Sequence, residues 1–173
     1  MSIERVKEYF RKFNMEDRIQ EFDVSSATVE LAARALNCEP ARIAKTLAFK
    51  QNERCVLIVA AGDSRIDNVK YKQQFGTKAK MLTAEEALTL VGHGVGGICP
   101  FAVNDGVVTY LDISLKRFET VFPACGSSNS AIELSIDELE KYSNAESWID
   151  VCKDWQEYLS LKFESTAYTR GLI

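Results

Sequence analysis

Apolar side chains in the first third of the chain recur at spacings typical first of helices and then of strands. In residues 3–13 they fall every three or four positions, which predicts an amphipathic helix. Ser26 is a favourable N-cap for the helix that follows it, and Pro40 fits the first position of a short further helix. Two apolar segments come next, at 46–49 and 55–60, and the polar residues between them predict a β-hairpin.

Beyond the hairpin the pattern predicts more strands than helices. Thr83 with Glu86, and Ser135 with Glu138, have the capping-box spacing, so each pair predicts the start of a helix. The other predicted elements are a helix at 68–74 and strands at 79–82, 107–111, 119–123 and 131–134. Because these strands alternate irregularly with helices, the pattern favours an α+β fold with a mixed sheet.

The composition changes near residue 144. Trp148, Trp155 and the apolar residues around them predict an amphipathic helix, and residues 163–173 look irregular. We therefore predict a domain over residues 1–143 and a C-terminal helical appendage over residues 144–173, which docks on the domain or on a partner.

The size and composition are those of one folded domain. A chain of 173 residues, 46% hydrophobic and 27% charged, can bury a core without disulfides or metals. No apolar run is long enough to span a membrane, and the first residues lack a signal-peptide pattern, so we expect a cytoplasmic protein without a membrane partner. The five cysteines include no Cys-x-x-Cys pair, so we expect reduced thiols, no metal and no other cofactor.

Charge is unevenly distributed along the chain. The net charge of −4 argues against broad, non-specific binding to nucleic acid. Residues 63–80 nevertheless carry an excess of basic side chains, and residues 133–157 a larger excess of acidic ones. One region could therefore bind a polyanion, although two solvated helix faces of opposite sign explain the charges equally well.

Residues 92–101, here called the glycine loop, contain four glycines and Pro100. Glycine lets a backbone come close to a ligand and proline stiffens it, so the loop amides could hold a carbonyl oxygen or a phosphate. A plain turn is the alternative. Cys99 lies in this loop, but a reactive thiolate needs a base or a cation nearby, and we expect His93, the sole histidine, to be a loop residue.

The usual catalytic sets are missing from the sequence. There is one histidine, no Gly-x-Ser-x-Gly elbow and no Walker-type phosphate loop, so any reaction must be chemically undemanding. Hydrolysis of an activated ester fits, because backbone amides can stabilise the oxyanion while a substrate hydroxyl or a water molecule assists the attack. Lys45 would supply a fixed cation.

Several short strings, taken in order, resemble the YbaK/prolyl-tRNA synthetase-associated editing domain family. They are Ala44-Lys45-Thr46-Leu47, Ala61-Gly62-Asp63-Ser64-Arg65-Ile66-Asp67, Lys80-Met81-Leu82-Thr83, Gly96-Gly97-Ile98-Cys99-Pro100-Phe101, Tyr110-Leu111-Asp112 and Cys125-Gly126-Ser127-Ser128-Asn129. The resemblance covers roughly residues 20–141. It implies a mixed, mostly antiparallel sheet surrounded by helices.

The resemblance also implies a function, that of a free-standing aminoacyl-tRNA deacylase. Such an enzyme clears a small wrong amino acid from a tRNA, most often the tRNA for proline, and it could bind an aminoacyl-tRNA synthetase as a partner. The implied catalytic residues are Lys45, which helps to hold the 3′ end of the substrate, and Gly96, Gly97, Ile98 and Pro100 of the glycine loop. The implied substrate-binding residues are Ser26, Thr28, Asp112, Ser128 and Asn129. For tRNA we expect contacts from Arg65, Lys70, Lys72, Lys78 and Lys80.

Other interpretations remain open from the sequence. Asp112 could cap the turn that follows it, and Ser128 and Asn129 could be turn residues. The whole chain could be a non-catalytic module that binds tRNA or a synthetase, or an esterase for small molecules. Alanine, cysteine, serine and threonine all remain candidates for the amino acid removed, because a pocket discriminates by shape and one methylene is worth only about 1–3 kcal/mol.

Overall fold

Helices and short strands alternate along residues 2–156, the part of the chain that this computed structural model describes. The helices are α1 (Ser2–Arg11), α2 (Val29–Leu36), α3 (Asn68–Phe75), α4 (Ala84–Leu90) and α5 (Ile136–Tyr142). The strands are β1 (Ile19–Glu21), β2 (Ile43–Gln51), β3 (Arg54–Ala61), β4 (Arg65–Ile66), β5 (Val108–Asp112), β6 (Thr120–Pro123), β7 (Ser130–Ile132), β8 (Leu134–Ser135), β9 (Ser147–Ile149) and β10 (Cys152–Lys153).

Six strands form the main sheet, in the order β8-β6-β2-β3-β5-β9. The β8–β6 and β2–β3 pairs are antiparallel, whereas β6–β2, β3–β5 and β5–β9 are parallel. Two small antiparallel sheets, β1 with β7 and β4 with β10, lie beside it. The predicted α+β fold with a mixed sheet is confirmed, and antiparallel partners make up most of the paired residues.

The β2–β3 hairpin is the longest pairing and confirms the prediction. Its register runs from Ala44 opposite Ala61 to Gln51 opposite Arg54. Asn52 takes a left-handed φ of 57° in the tight turn, a conformation that asparagine tolerates better than most residues. The hairpin places β2 beside β6 and leaves part of its outer edge available to the candidate site.

Both faces of the main sheet are covered. Because side chains alternate along β3, Val59 packs in one cluster with Phe10 of α1 and Leu139 of α5, whereas Ile58 packs in another with Tyr71 of α3. This double coverage explains why β3 is buried almost along its whole length. It also fixes the position of the hairpin on which the candidate site is built.

Most predicted helix signals correspond to real helix ends. Both capping boxes are formed, at Thr83 and at Ser135, and Pro40 begins a short 3-10 helix. The N-cap assigned to Ser26 is wrong, because Thr28 caps α2 by accepting a hydrogen bond from the Leu31 amide at 3.2 Å. No helix within residues 2–156 is long and apolar enough to cross a membrane.

Three predicted elements differ from those observed. Residues 79–82 make a single β-bridge, between Met81 and Phe49, instead of a strand. Residues 131–134 divide into the end of β7 and the start of β8, which pair with β1 and β6. The helix predicted after residue 144 is wrong in its described part, because β9 pairs with β5 at the sheet edge and β10 pairs with β4. Residues 157–173 lie outside the described part of the chain.

Candidate active site

A cleft of about 360 Å³ opens along the outer edge of β2. Its walls come from the start of α2, the middle of β2, the 81–82 segment, the glycine loop, and the region from β6 to β7. Most of the lining is apolar. The polar side chains in its wall are those of Ser26, Thr28, Lys45, Thr46 and Ser130. A small, mostly apolar cleft with few polar groups is typical of a site for a small organic group.

The edge of β2 is unpaired in the middle of this cleft. Its pairing with β6 ends at Ala44, and its contact with the 79–82 segment begins at Ala48, whose carbonyl accepts from the Leu82 amide at 3.0 Å. Alternation along the strand directs the N–H and C=O groups of Thr46 to the same side as those of Ala48. Within residues 2–156 nothing pairs with Thr46 on that side, and its buried hydroxyl also lacks a partner.

Lys45 is half-buried in the wall of the cleft, on β2. Its Nζ donates to the carbonyl oxygens of Ser64 and, at 3.4 Å, of Gly62. Burial lowers the pKa of the Lys45 ammonium from its ordinary value, while the nearby Asp63 acts in the opposite direction. The cation is thus fixed in position and partly desolvated, which strengthens its pull on an anion.

The glycine loop crosses one end of the cleft. Gly96 and Ile98 line it, whereas Gly97 and Pro100 lie buried behind. Gly96 has a φ of +90°, and a Cβ atom on Gly97 would lie 2.6 Å from the Ser127 nitrogen, so neither position suits another residue. Among residues 2–156 the amide N–H groups of Gly96 and Ile98 have no hydrogen-bond partner. Because both residues line the cleft, these two amides are the candidate donors to a ligand there.

His93 and Cys99 are buried inside the base of the loop. His93 Nε2 lies 2.7 Å from the Phe101 carbonyl oxygen and 3.5 Å from Cys99 Sγ, and His93 Nδ1 contacts the Ser2 hydroxyl. Burial lowers the pKa of the imidazole and raises that of the Cys99 thiol to about 12. Neither group is exposed to solvent, so Cys99 is a packing residue and not a nucleophile.

Ser26 and Thr28 both line the cleft, and their role in substrate binding stays a prediction. Ser26 is buried there, and both its amide, at 2.6 Å, and its hydroxyl, at 3.3 Å, donate to the Ser128 carbonyl oxygen. Thr28 lines the same wall while its hydroxyl caps α2. Each hydroxyl is therefore already engaged with the protein backbone.

Asp112, Ser128 and Asn129 do not line the cleft, in contrast to the substrate-binding role predicted for them. Asp112 is fully buried and accepts from the amides of Ser114 and Val151, each at 2.9 Å, so it caps the following turn and holds the segment between β9 and β10. Ser128 contributes its carbonyl to Ser26, and Asn129 is bonded to Phe22. These last two residues support the wall of the cleft from behind.

The five predicted tRNA-binding residues divide into two groups. Lys70 is engaged by Asp150 at 2.9 Å and by the Cys152 carbonyl at 3.2 Å. The others are exposed: Arg65, Lys72, Lys78 and Lys80. Of these, Lys72 and Lys78 line a shared groove beside α3. Lys80 directly precedes Met81 and Leu82, which line the cleft.

Sequence reasoning missed several residues of the cleft. Thr46, Met81 and Ser130 all line it. The first two belong to the short strings that resemble the editing family, but the sequence indicated no role for their side chains. Thr46 could have been found from its place next to Lys45 on a strand. No group of three potential metal-ligating His, Cys, Asp or Glu side chains occurs in residues 2–156.

This chain is similar in sequence to proteins of one known family. Residues 23–142 match the model of the aminoacyl-tRNA editing domain. The chain is 52% identical over 157 residues to the uncharacterized protein YwhH of Bacillus subtilis, covering 90% of this chain and 100% of that one. It is 31% identical over 101 residues to a proline–tRNA ligase of Bacillus cytotoxicus, covering 58% of this chain but only 18% of the ligase.

Solved structures agree with this match. One protein, proposed to be a trans-editing enzyme for prolyl-tRNA synthetase, superposes with a TM-score of 0.79 at 26% identity, over 88% of this chain and 97% of that one. The matched region contains the whole cleft, including the β2 edge, Lys45 and the glycine loop. The chain therefore belongs to the aminoacyl-tRNA editing domain family.

Proposed function

We propose that this protein is a deacylase that acts in trans on mischarged tRNA, hydrolysing the ester that joins a small wrong amino acid to the tRNA, most often the tRNA for proline. The main support for this proposal is that one small cleft contains the Lys45 ammonium, the unpaired amides of Gly96 and Ile98, and the unpaired edge of β2. The similarity to proline–tRNA ligases and to the solved structure named above supports the choice of tRNA. We further propose that it works in the cytoplasm, where tRNAs are charged.

The size of the cleft supports a small aminoacyl group. A volume of about 360 Å³ lies at the lower end of ligand sites. The walls contributed by Ala27, Ala32 and Ala48 are short side chains that leave room without adding charge. The rest of the tRNA would remain outside, with its terminal nucleotide at the mouth.

The chemistry would depend on positioning and backbone donors. The free N–H groups of Gly96 and Ile98 can donate to the ester oxygen as it gains negative charge, which is the role of an oxyanion hole. The Lys45 ammonium can hold a phosphate oxygen of the 3′ end, close to the reacting ester. A water molecule, assisted by the terminal ribose hydroxyl, would attack the carbonyl carbon, and the tRNA hydroxyl would leave with a proton.

The outer part of the tRNA would meet exposed basic residues. Lys72 and Lys78 face one groove, and Lys80 lies at the edge of the cleft. Contacts of this kind fix orientation on the phosphate backbone without selecting a sequence. Selection of one tRNA would then need further contacts or a partner synthetase.

The test is deacylation of a panel of tRNAs for proline that carry alanine, cysteine, serine or threonine. We expect the wild-type protein to hydrolyse at least one ester and Lys45→Ala to lose that activity. Since Lys45 also donates to two backbone carbonyls, the free energy of unfolding of the variant is measured beside the rate. Binding of the tRNAs without hydrolysis of any ester would favour a non-catalytic tRNA-binding module.

A further inference from the structure

The two ends of the glycine loop are joined by His93. Its Nε2–H donates to the Phe101 carbonyl at 2.7 Å, because a carbonyl oxygen can only accept. Nδ1 is then the acceptor for the hydroxyl of Ser2, the first described residue of α1. Both ring nitrogens are satisfied in one neutral tautomer of a fully buried side chain. The imidazole thus connects the start of the loop, its end and helix α1.

A second residue of α1 spans the same two ends. Arg5 Nη2 donates to the Ala102 carbonyl at 2.7 Å and to Asn104 Oδ1 at 3.1 Å, while Nη1 approaches the Gly92 carbonyl at 3.5 Å. Ala102 has a φ of +52°, a conformation that an alanine holds only when its surroundings favour it. Arg5 supplies such a contact.

The same helix supports the loop from behind. A Cβ atom on Gly126 would lie 2.8 Å from both the carbonyl and the hydroxyl oxygens of Ser2, so the backbone there is in close contact with α1. Gly97 in turn packs on the backbone of Gly126 and Ser127. Helix α1 therefore contacts Gly126, and Gly126 in turn contacts the glycine loop. Helix α1 precedes residues 23–142, the stretch that matches the family model.

We propose that Ser2, Arg5 and His93 form a clamp through which α1 holds the glycine loop in its ligand-binding shape. The three are positioning residues, since they act through the loop and not on the substrate. The functional consequence rests on the proposed deacylase activity: a loop held in place keeps the Gly96 and Ile98 amides directed at the ester. The effect of the clamp on the loop itself does not depend on that activity.

The test compares Arg5→Gln and Ser2→Ala with Arg11→Gln. Arg11 is an apt control because it lies on the same helix and pairs with Glu8 and Glu16, away from the loop. Amide hydrogen exchange is followed by NMR at Gly97, whose N–H donates to the Gly94 carbonyl at 3.1 Å, with amides of β3 as the reference. We expect exchange at Gly97 to rise about tenfold in both test variants, with β3 and the Arg11→Gln protein unchanged.

Deacylation kinetics supply the second measurement. A misplaced loop should lower kcat by about tenfold or more while KM stays within about twofold, because the donors act mainly on the transition state. If Gly97 exchange and kcat in both test variants match those of Arg11→Gln, the clamp is refuted. If the wild-type protein cleaves no ester, the proposed function fails, and exchange at Gly97 alone decides the clamp. Should Arg5→Gln also loosen β3, the milder Ser2→Ala variant decides by the same two measurements.

Discussion

Burial, more than pairing with opposite charges, determines the environment of Lys45 and Gly97 at the candidate site. The Lys45 ammonium is half-buried on a strand and bonded to backbone carbonyls, not to a carboxylate. Gly97, behind the cleft, is packed against the backbone of Gly126 and Ser127, which cannot move aside as a side chain could. Because both residues are at least half-buried, solvent cannot compensate for a substitution there. We therefore expect substitutions at Lys45 and Gly97 to have clear effects.

The pH dependence of deacylation tests the role of Lys45. Burial lowers the pKa of its ammonium from the ordinary value, and the charged form exists below that pKa. We therefore expect the enzyme-catalysed rate, corrected for spontaneous hydrolysis, to fall as pH rises through the lowered pKa, earlier than for a free lysine. In Lys45→Arg the guanidinium stays charged over this range, so any residual rate should not fall. A decline of equal steepness in both proteins would contradict the assignment.

Substitution of two loop glycines tests the packing of the loop. In Gly97→Ala the new Cβ would lie 2.6 Å from the Ser127 nitrogen and 2.7 Å from the Gly126 carbonyl carbon, so the backbone must shift. We expect a loss of about 1–3 kcal/mol in the free energy of unfolding and a strong loss of deacylation. Gly94→Ala is the matched control, because no atom lies within 4 Å of its Cβ position. Urea denaturation and the deacylation rate of both variants check this, and equal effects would refute it.

Among the helices and strands, those that depend on neighbouring residues could be predicted from the sequence, and those that depend on distant pairing could not. The β2–β3 hairpin and both capping boxes depend on residues a few positions apart, so they could be predicted. The strand β9 pairs in parallel with β5, more than thirty residues earlier, and no local pattern encodes that register. The true cap of α2 was missed because Ser26 and Thr28 are both suitable, and the contact of Ser26 with Ser128 is long-range.

The candidate site also combines features that the local sequence indicates with features that depend on distant strands. The glycine loop and Lys45 stood out from local composition and from the family resemblance. The engagement of Asp112 with Val151 and the gap in the edge of β2 at Thr46 come from the arrangement of distant strands. Residues whose roles depend on such arrangements could not be assigned from the sequence.

A buried ion pair connects the turn at residues 62–64, whose carbonyl oxygens accept from Lys45, to the end of the described chain. Arg117, with a side chain only 4% exposed, donates to both carboxylate oxygens of Asp63, at 2.6 and 2.9 Å, and to the Trp155 carbonyl at 3.2 Å. We expect Asp63→Asn to lower the free energy of unfolding by about 2–4 kcal/mol, because the buried guanidinium loses its charged hydrogen bonds to the Asp63 carboxylate.

The matched control is Asp150→Asn, which breaks the more exposed pair with Lys70. Its cost should be below about 1 kcal/mol, as for most surface ion pairs. Chemical denaturation at one pH measures both variants. Equal losses in the two proteins would show that the buried pair is not a main link between these elements.

The whole molecule combines a negative net charge of −4 with a groove beside α3 that is lined by the basic residues Lys72 and Lys78. A tRNA would approach such a protein in one orientation, with its phosphates at the basic residues. We expect Lys72→Glu with Lys78→Glu to raise KM for mischarged tRNA and to weaken its dependence on salt, leaving kcat nearly unchanged. Charge reversal at the already paired Lys70 should alter stability as well, so it is not a clean probe. If KM is unchanged in the double variant, tRNA binds to another surface of the protein.

The most direct test is single-turnover deacylation of the tRNA for proline charged with alanine, cysteine, serine, threonine or proline, with the protein in excess. We expect rapid release of at least one of the four small amino acids, no release of proline, and loss of the reaction in Lys45→Ala. Stable tRNA complexes in which no small aminoacyl ester is hydrolysed would contradict the proposed deacylase activity.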